Sequence, residues 1–287
     1  MSAGVSGATL APAGSAQAGV LRRPVSKKLV IGLVVLGIYV IAAVFAPLIA
    51  QYNPNTQDIL ARLASPGHGH LLGTDPLGRD VLARLIYAIR IDLPIGIAGA
   101  ALPLLLGTLL GAYAGFWGGI VDSVIGRIAD VIQAFPVYVF MIALVFALGS
   151  GVRAILISFT AIGWVIYARL VRGEILRLKG LDYIQAARAA GLSANRILWR
   201  HAMPNAIRQS IVYVMSDIVQ AIVILASLTF FGLGVAQPTA EWGSMISDGQ
   251  PYLVTDPTLA IAPGIAIVIL GLGLSLIGDG LDDRWRR

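Results

Sequence analysis

The chain has 287 residues, of which 57% are hydrophobic and only 13% charged, with a net charge of +6 and no cysteine. Soluble domains carry about 25% charged residues, and a soluble monomer of this size could not keep so much apolar area from water. The composition therefore argues against a soluble enzyme, a disordered chain or a nucleic-acid binder, and the missing cysteines rule out disulfides and thiolate-bound metals.

Residues 1–20 are rich in Ala, Gly and Ser, carry no charge and read as a flexible tail. Arg22, Arg23, Lys27 and Lys28 follow, ahead of a stretch without Asp, Glu, Lys or Arg over 29–57. A bilayer core needs about 20 apolar helical residues. The run reaches that length and five more follow it, so a retained first span near 28–50 is expected rather than a cleaved leader.

The next segment, 51–89, is too polar to span. Within it, Asp75 before Pro76 reads as a helix start, a capping carboxylate with proline at the first helical position. Leu77, Val81, Leu85 and Ile89 recur every four residues, with Arg79, Asp80 and Arg84 off that stripe. An amphipathic helix at the membrane surface or against the bundle is expected, and simple packing and a direct functional role both remain open for it.

Further charge-free stretches at 93–121, 131–152, 154–168, 218–240 and 257–278 predict helices near 90–115, 124–148, 152–172, 209–232 and 258–279. The fold class is thus an all-α polytopic membrane protein with six transmembrane helices. The expected organisation is a cytoplasmic tail (1–27), a first span (28–50), an outer segment (51–89), a five-helix core (90–279) and a basic tail (280–287).

Between the fourth and fifth spans, 173–208 is too patterned for a loose loop. Asp182 and Gln185 have capping-box spacing, so a helix over 183–190 is expected. Gly191 then turns the chain, Ser193 caps a second short helix from Ala194 to about Met203, and Pro204 ends it. Arg188, Arg196 and Arg200 fall on its surface. Ile184, Ile197, Leu198 and Trp199 are too apolar for a hairpin that touches nothing, so some should pack under the spans and others meet another protein.

Lys and Arg mark the cytoplasmic side of membrane proteins. With the N-terminus inside, only Arg62, Arg79, Arg84, Arg90 and Arg153 of the 21 basic residues fall outside. That places 173–208 and the C-terminal tail in the cytoplasm, and the excess charge reflects topology rather than a polyanionic partner.

The stretch from Asp182 to Ile197, with His201, Pro204 and Asn205, resembles the EAA loop of ABC-importer membrane subunits. Ala186, Ala187 and Gly191 match that motif, Gln185 stands where the family has Glu, and Met203-Pro204 replaces Leu-Pro. The outer Leu72-Gly73-Thr74-Asp75 to Arg79-Asp80 segment resembles the dipeptide and oligopeptide subgroup, and within it the C-type permease. The resemblance covers roughly 25–287. It implies the type I ABC importer permease fold, with a cytoplasmic helix-turn-helix whose second helix docks on an ATPase through Ser193, Ala194, Asn195, Arg196 and Ile197. It also implies a second, homologous permease subunit, two cytoplasmic ATPases that hold ATP and Mg, an extracytoplasmic substrate-binding protein and a place in the bacterial inner membrane. Related permeases also serve nickel and other solutes.

A phosphate-binding loop needs Lys after Gly, and Lys27, Lys28 and Lys179 all lack that context. No cofactor is therefore expected on this chain, and its energy must come from a partner or an ion gradient. A stand-alone secondary transporter would carry an internal inverted repeat, which the two halves do not display. His68-Gly69-His70 reads as a loop feature rather than a metal site, and His201 as a packing or hydrogen-bonding residue.

Polar and ionisable residues at membrane depth are candidates for the translocation path. Asp217 and Gln220 in the fifth segment and Asp130 and Gln133 in the third qualify. Asp217 is open to two readings, a path residue that meets a peptide amine or a helix-end residue at the inner interface. Pro94, Pro103 and Pro136 suit kinked helices. The outer loop over 232–258, with Glu241, Trp242, Asp248, Gln250 and Asp256, reads either as a docking surface for a binding protein or as a lid on the bundle.

Overall fold

The computed structural model describes residues 26–67 and 69–286. The tail at 1–20, Arg22, Arg23, His68 and Arg287 lie outside the described residues. Five helices are long and apolar enough to cross a membrane, and a bent pair supplies a sixth crossing if it is taken as one span.

Helix α1 (Lys27–Val44) gives way at Phe45 to the short α2 (Ala46–Ile49). Pro47 explains the break, because it lacks an N–H and its ring clashes with the carbonyl four residues back. The chain then runs through a 3₁₀ turn (Ile59–Ala61) into α3 (Val81–Trp117), a single 37-residue helix.

The amphipathic segment packs against the bundle through Val81 and Ile89, one of its two expected placements, and is continuous with the next span as the first turns of α3. The helix starts later than expected, capped by Asp80, whose Oδ1 accepts from the Ala83 N–H at 2.6 Å. Asp75 and Pro76 instead occupy the first two positions of a tight turn closed by the Gly78 N–H on the Asp75 carbonyl at 2.9 Å. Asp, Pro and Gly suit positions one, two and four of such a turn. Gly78 is required there, since its φ is +72° and a Cβ would sit 1.7 Å from the Asp58 carbonyl oxygen.

The expected third span is two helices, α4 (Gly119–Gln133) and α5 (Val137–Leu148), bent by 93°. Phe135 lies between the two helices, where a following proline disfavours the helical basin, and Pro136 is itself extended, with ψ of 126°. Helix α6 (Val152–Lys179) runs seven residues past the expected end at 172. The hairpin helices α7 (Asp182–Ala189) and α8 (Ala194–Arg196) follow. After them come a π-helical turn (Ile197–Ala202), α9 (Met203–Phe230), α10 (Trp242–Gly249), a 3₁₀ turn (Gln250–Tyr252) and α11 (Thr258–Arg286).

Lipid removes the hydrophobic drive between helices, so close packing must supply the association. Gly107, Gly111 and Gly115 form a stripe along α3 that lets α6 approach to backbone contact. A Cβ at these positions would fall 2.3 Å from Trp164 O, 2.3 Å from Ala168 O and 2.9 Å from Arg172 O. Gly32 and Gly280 do the same where α1 crosses α11. Around these seams lies an apolar core that includes Tyr167, Ile218, Ile222, Trp242 and Leu274. Leu33, Val34, Ile38 and Ile41 of α1 are exposed and turn an apolar face outward.

Candidate functional site

The hairpin is built on a buried root and an exposed tip. Ile184, Ile197 and Leu198 are buried and pack with Phe116 of α3 and Ile175 and Leu178 of α6, while Trp199 stays exposed. Gly191 has φ of +76°, and Leu192 and Gly191 donate to the carbonyls of Ala187 at 3.2 Å and Arg188 at 2.9 Å. That paired arrangement is the Schellman closure of a helix end. Asp182, Gln185, Ala186, Ser193, Ala194, Asn195 and Arg196 are exposed, and Ala187 and His201 are half-buried.

Three local readings are corrected. Asp182 is the first residue of α7, and its side chain caps nothing. Gln185 does not reach back to a capping residue. Its Nε2 donates to the Lys179 carbonyl at 2.8 Å, while Lys179 Nζ donates to the Phe116 carbonyl at 2.8 Å. Together they tie α7 to the end of α6 and α6 to the end of α3. Ser193 sits before α8 without a side-chain bond.

Pro204 also fails to end the hairpin. It occupies the first turn of α9, which continues α8 through the π-helical turn, so Ala194–Phe230 is one 37-residue helical run. A π-helical turn opens the i→i−4 ladder at the point where the proline ring would otherwise clash with the carbonyl of Arg200.

Beside the hairpin lies a groove of about 670 Å³, lined among others by Glu174, Arg177, Tyr183, Arg208 and Trp285. Arg177 is occupied there by Glu174, with contacts of 2.5 and 3.0 Å.

Further along the bundle, a cavity of about 180 Å³, open at the exposed Gln133 and Gln220, brings these together with Tyr213 and Asp217 among apolar neighbours such as Met141 and Phe159. Three of the four proposed path residues thus share one cavity. Asp130 does not. It pairs with Arg169 of α6 at 2.8 Å, and both side chains are more than half exposed. Asp217 accepts a hydrogen bond from Tyr167 OH at 2.7 Å. Sequence reasoning passed over Tyr167, although a tyrosine among apolar residues of a span needs a partner for its hydroxyl.

A third constellation on the opposite side of the bundle was not foreseen. Arg79 and Arg84 are almost fully buried. Arg79 Nε meets Asp75 at 2.5 Å and its Nη2 meets Asp248 at 3.1 Å. Arg84 Nη1 donates to the Pro54 carbonyl at 3.1 Å, and its Nε lies 3.7 Å from Asp75. Nearby, the Trp242 N–H donates to Asp92 Oδ2 at 3.0 Å. The buried Glu241 caps α10, accepting from Gly243 and Ser244 at 2.7 Å each. The loop over 232–258 is therefore fastened into the bundle. His70 Nδ1 lies 2.9 Å from Asp80, so it serves the cap of α3.

The comparisons with known proteins agree with this architecture. The family described as binding-protein-dependent transport system inner membrane component matches residues 107–287, and the N-terminal TM domain of oligopeptide transport permease C matches residues 25–66. The oligopeptide transport system permease protein OppC of Bacillus subtilis is 38% identical over 92% of this chain and 86% of its own length. The dipeptide transport system permease protein DppC of Alkalihalophilus pseudofirmus is 36% identical over 90% and 85%. The nickel transport system permease protein NikC of Escherichia coli is 35% identical over 88% and 91%. With most of its length matched by these permeases and by the family's core, the chain belongs to the inner-membrane components of binding-protein-dependent ABC importers.

Proposed function

We propose that this chain forms one half of the membrane path of an ATP-driven importer of short peptides. The observation that carries the reading is the hairpin between α6 and α9, with a root held by Ile184, Ile197 and Leu198 and an exposed tip at Ser193–Arg196. A tip of this kind offers a partner a surface that is rigidly joined to the spans. The path residues are Asp217, Gln220 and Gln133 in the cavity, together with Asp130, which lies outside that lining in an ion pair with Arg169. A second, homologous permease subunit completes the path. Two cytoplasmic ATPases, which carry ATP and Mg, receive the tip, and an extracytoplasmic binding protein delivers the substrate. In this reading both termini are cytoplasmic.

The oligopeptide and dipeptide permeases among the relatives support peptides as substrate, and the nickel permease supports a metal ion as the second reading. Reconstitution of this chain with its partner permease, ATPases and binding protein tests both. Stimulation of ATP hydrolysis by di- to pentapeptides, and not by nickel, is the expected result. Nickel-dependent stimulation without a peptide response would reverse the choice of substrate.

A further inference from the structure

The cavity between α3, α4, α5, α6 and α9 is electrostatically one-sided. Asp217 is the one charged side chain among its described lining residues, and no Lys, Arg or His joins it. Its Oδ2 accepts from Tyr167 at 2.7 Å. Among the described residues no donor reaches Oδ1, and that oxygen is not sealed from the cavity. Tyr167 itself is fully buried and packs edge-on against Tyr213, with ring centroids 5.5 Å apart. The carboxyl group is thus held in one orientation with one oxygen free.

Around it stand Gln133 and Gln220, each with an amide carbonyl that accepts and an NH₂ that donates, the two capabilities of a peptide group. Met141 and Phe159 supply an apolar wall. A cavity of about 180 Å³ is smaller than the roughly 300 Å³ at which small-molecule sites begin. It accommodates one end of a short peptide rather than the whole. The end that fits is the amino end, because an ammonium makes a charge-assisted bond to a free carboxylate oxygen, whereas a terminal carboxylate would meet like charge.

Resting on the reading of this chain as a peptide importer, we propose that Asp217, held by Tyr167 as a positioning residue, forms an ammonium subsite. It selects peptides with a free amino terminus inside the membrane, in addition to any selection by the binding protein.

The test uses the complete reconstituted transporter, with the binding protein saturated by either a free-amine tripeptide or its N-acetylated form. The readout is the ratio of the two import rates, in the wild type and in variants. The binding protein is the same throughout, so its own preference cancels when ratios are compared. Asp217→Asn should lower the ratio of free-amine to acetylated import about tenfold, the scale of one hydrogen bond to a charged group. Asp217→Glu should restore most of the ratio. Tyr167→Phe, which keeps the carboxylate but frees it, should lower the ratio part of the way.

An unchanged ratio in Asp217→Asn, whether both rates persist or both fall equally, would overturn the subsite while leaving the importer reading standing. Wild-type vesicles that import neither peptide would overturn the importer reading and the subsite with it.

Discussion

Arg79 and Arg84 show how burial within the protein changes the meaning of a charged side chain. Each is buried to about 1% exposure, and each is retained because acids and carbonyls surround it. Removing one partner of such a group costs far more than the pair is worth, about 3–5 kcal/mol, because the remaining charge is left buried. Arg79→Ala strips Asp75 and Asp248 of their shared guanidinium. It should lower the thermal unfolding temperature in detergent markedly, whereas Arg62→Ala at an exposed position should leave it unchanged. Unfolding temperatures that agree for the two variants would show that the cluster carries no stability. None of this was legible locally. Arg79 and Asp75 are four residues apart, but Asp248 is 169 residues further on, and only the fold brings α10 to the start of α3.

At the scale of elements, most spans were readable from charge-free stretches, since a bilayer leaves few alternatives to a helix about 20 residues long. Three of the boundaries that failed involve proline, whereas the late end of α6 at Lys179 does not. Pro76 reads as a helix start and lies in a turn, Pro136 divides a span, and Pro204 continues one. Proline restricts its own φ and the residue before it, but whether a helix breaks depends on how its neighbours re-form the lost bond, which is a tertiary matter. The hairpin was legible in outline because Gly191 does what its position asks. With φ at +76°, the position is closed to proline, whose φ is fixed near −65°. Gly191→Pro should therefore displace α8 and uncouple ATP hydrolysis from transport while the spans remain inserted. Normal substrate-stimulated hydrolysis in that variant would show that the tip is not the coupling element. Gln185 could not be placed from sequence, because its partner is the end of the preceding helix rather than its own.

For the whole molecule, the distribution of Lys and Arg makes a prediction that the missing cysteines make easy to check, since any cysteine introduced is the only one. Ser193→Cys and Ser65→Cys both replace exposed residues. In intact spheroplasts a membrane-impermeant maleimide should label the Ser65 variant and spare the Ser193 variant, and lysis should expose both. The opposite pattern would invert the topology. The fastened loop and charge cluster at the start of α3 and the hairpin at its far end follow the same division.

The continuity of Ala194–Phe230 has a mechanical consequence. Arg196 at the tip and Asp217 at the cavity stand on one continuous helical run, separated by 21 residues and so by about 30 Å along its axis. A strut of that length works as a lever. A tilt of about 5° imposed at one end sweeps the other through roughly 2.5 Å, comparable to the difference between a hydrogen bond held and one broken. A displacement of the hairpin tip would thus reach the cavity through one continuous helical run.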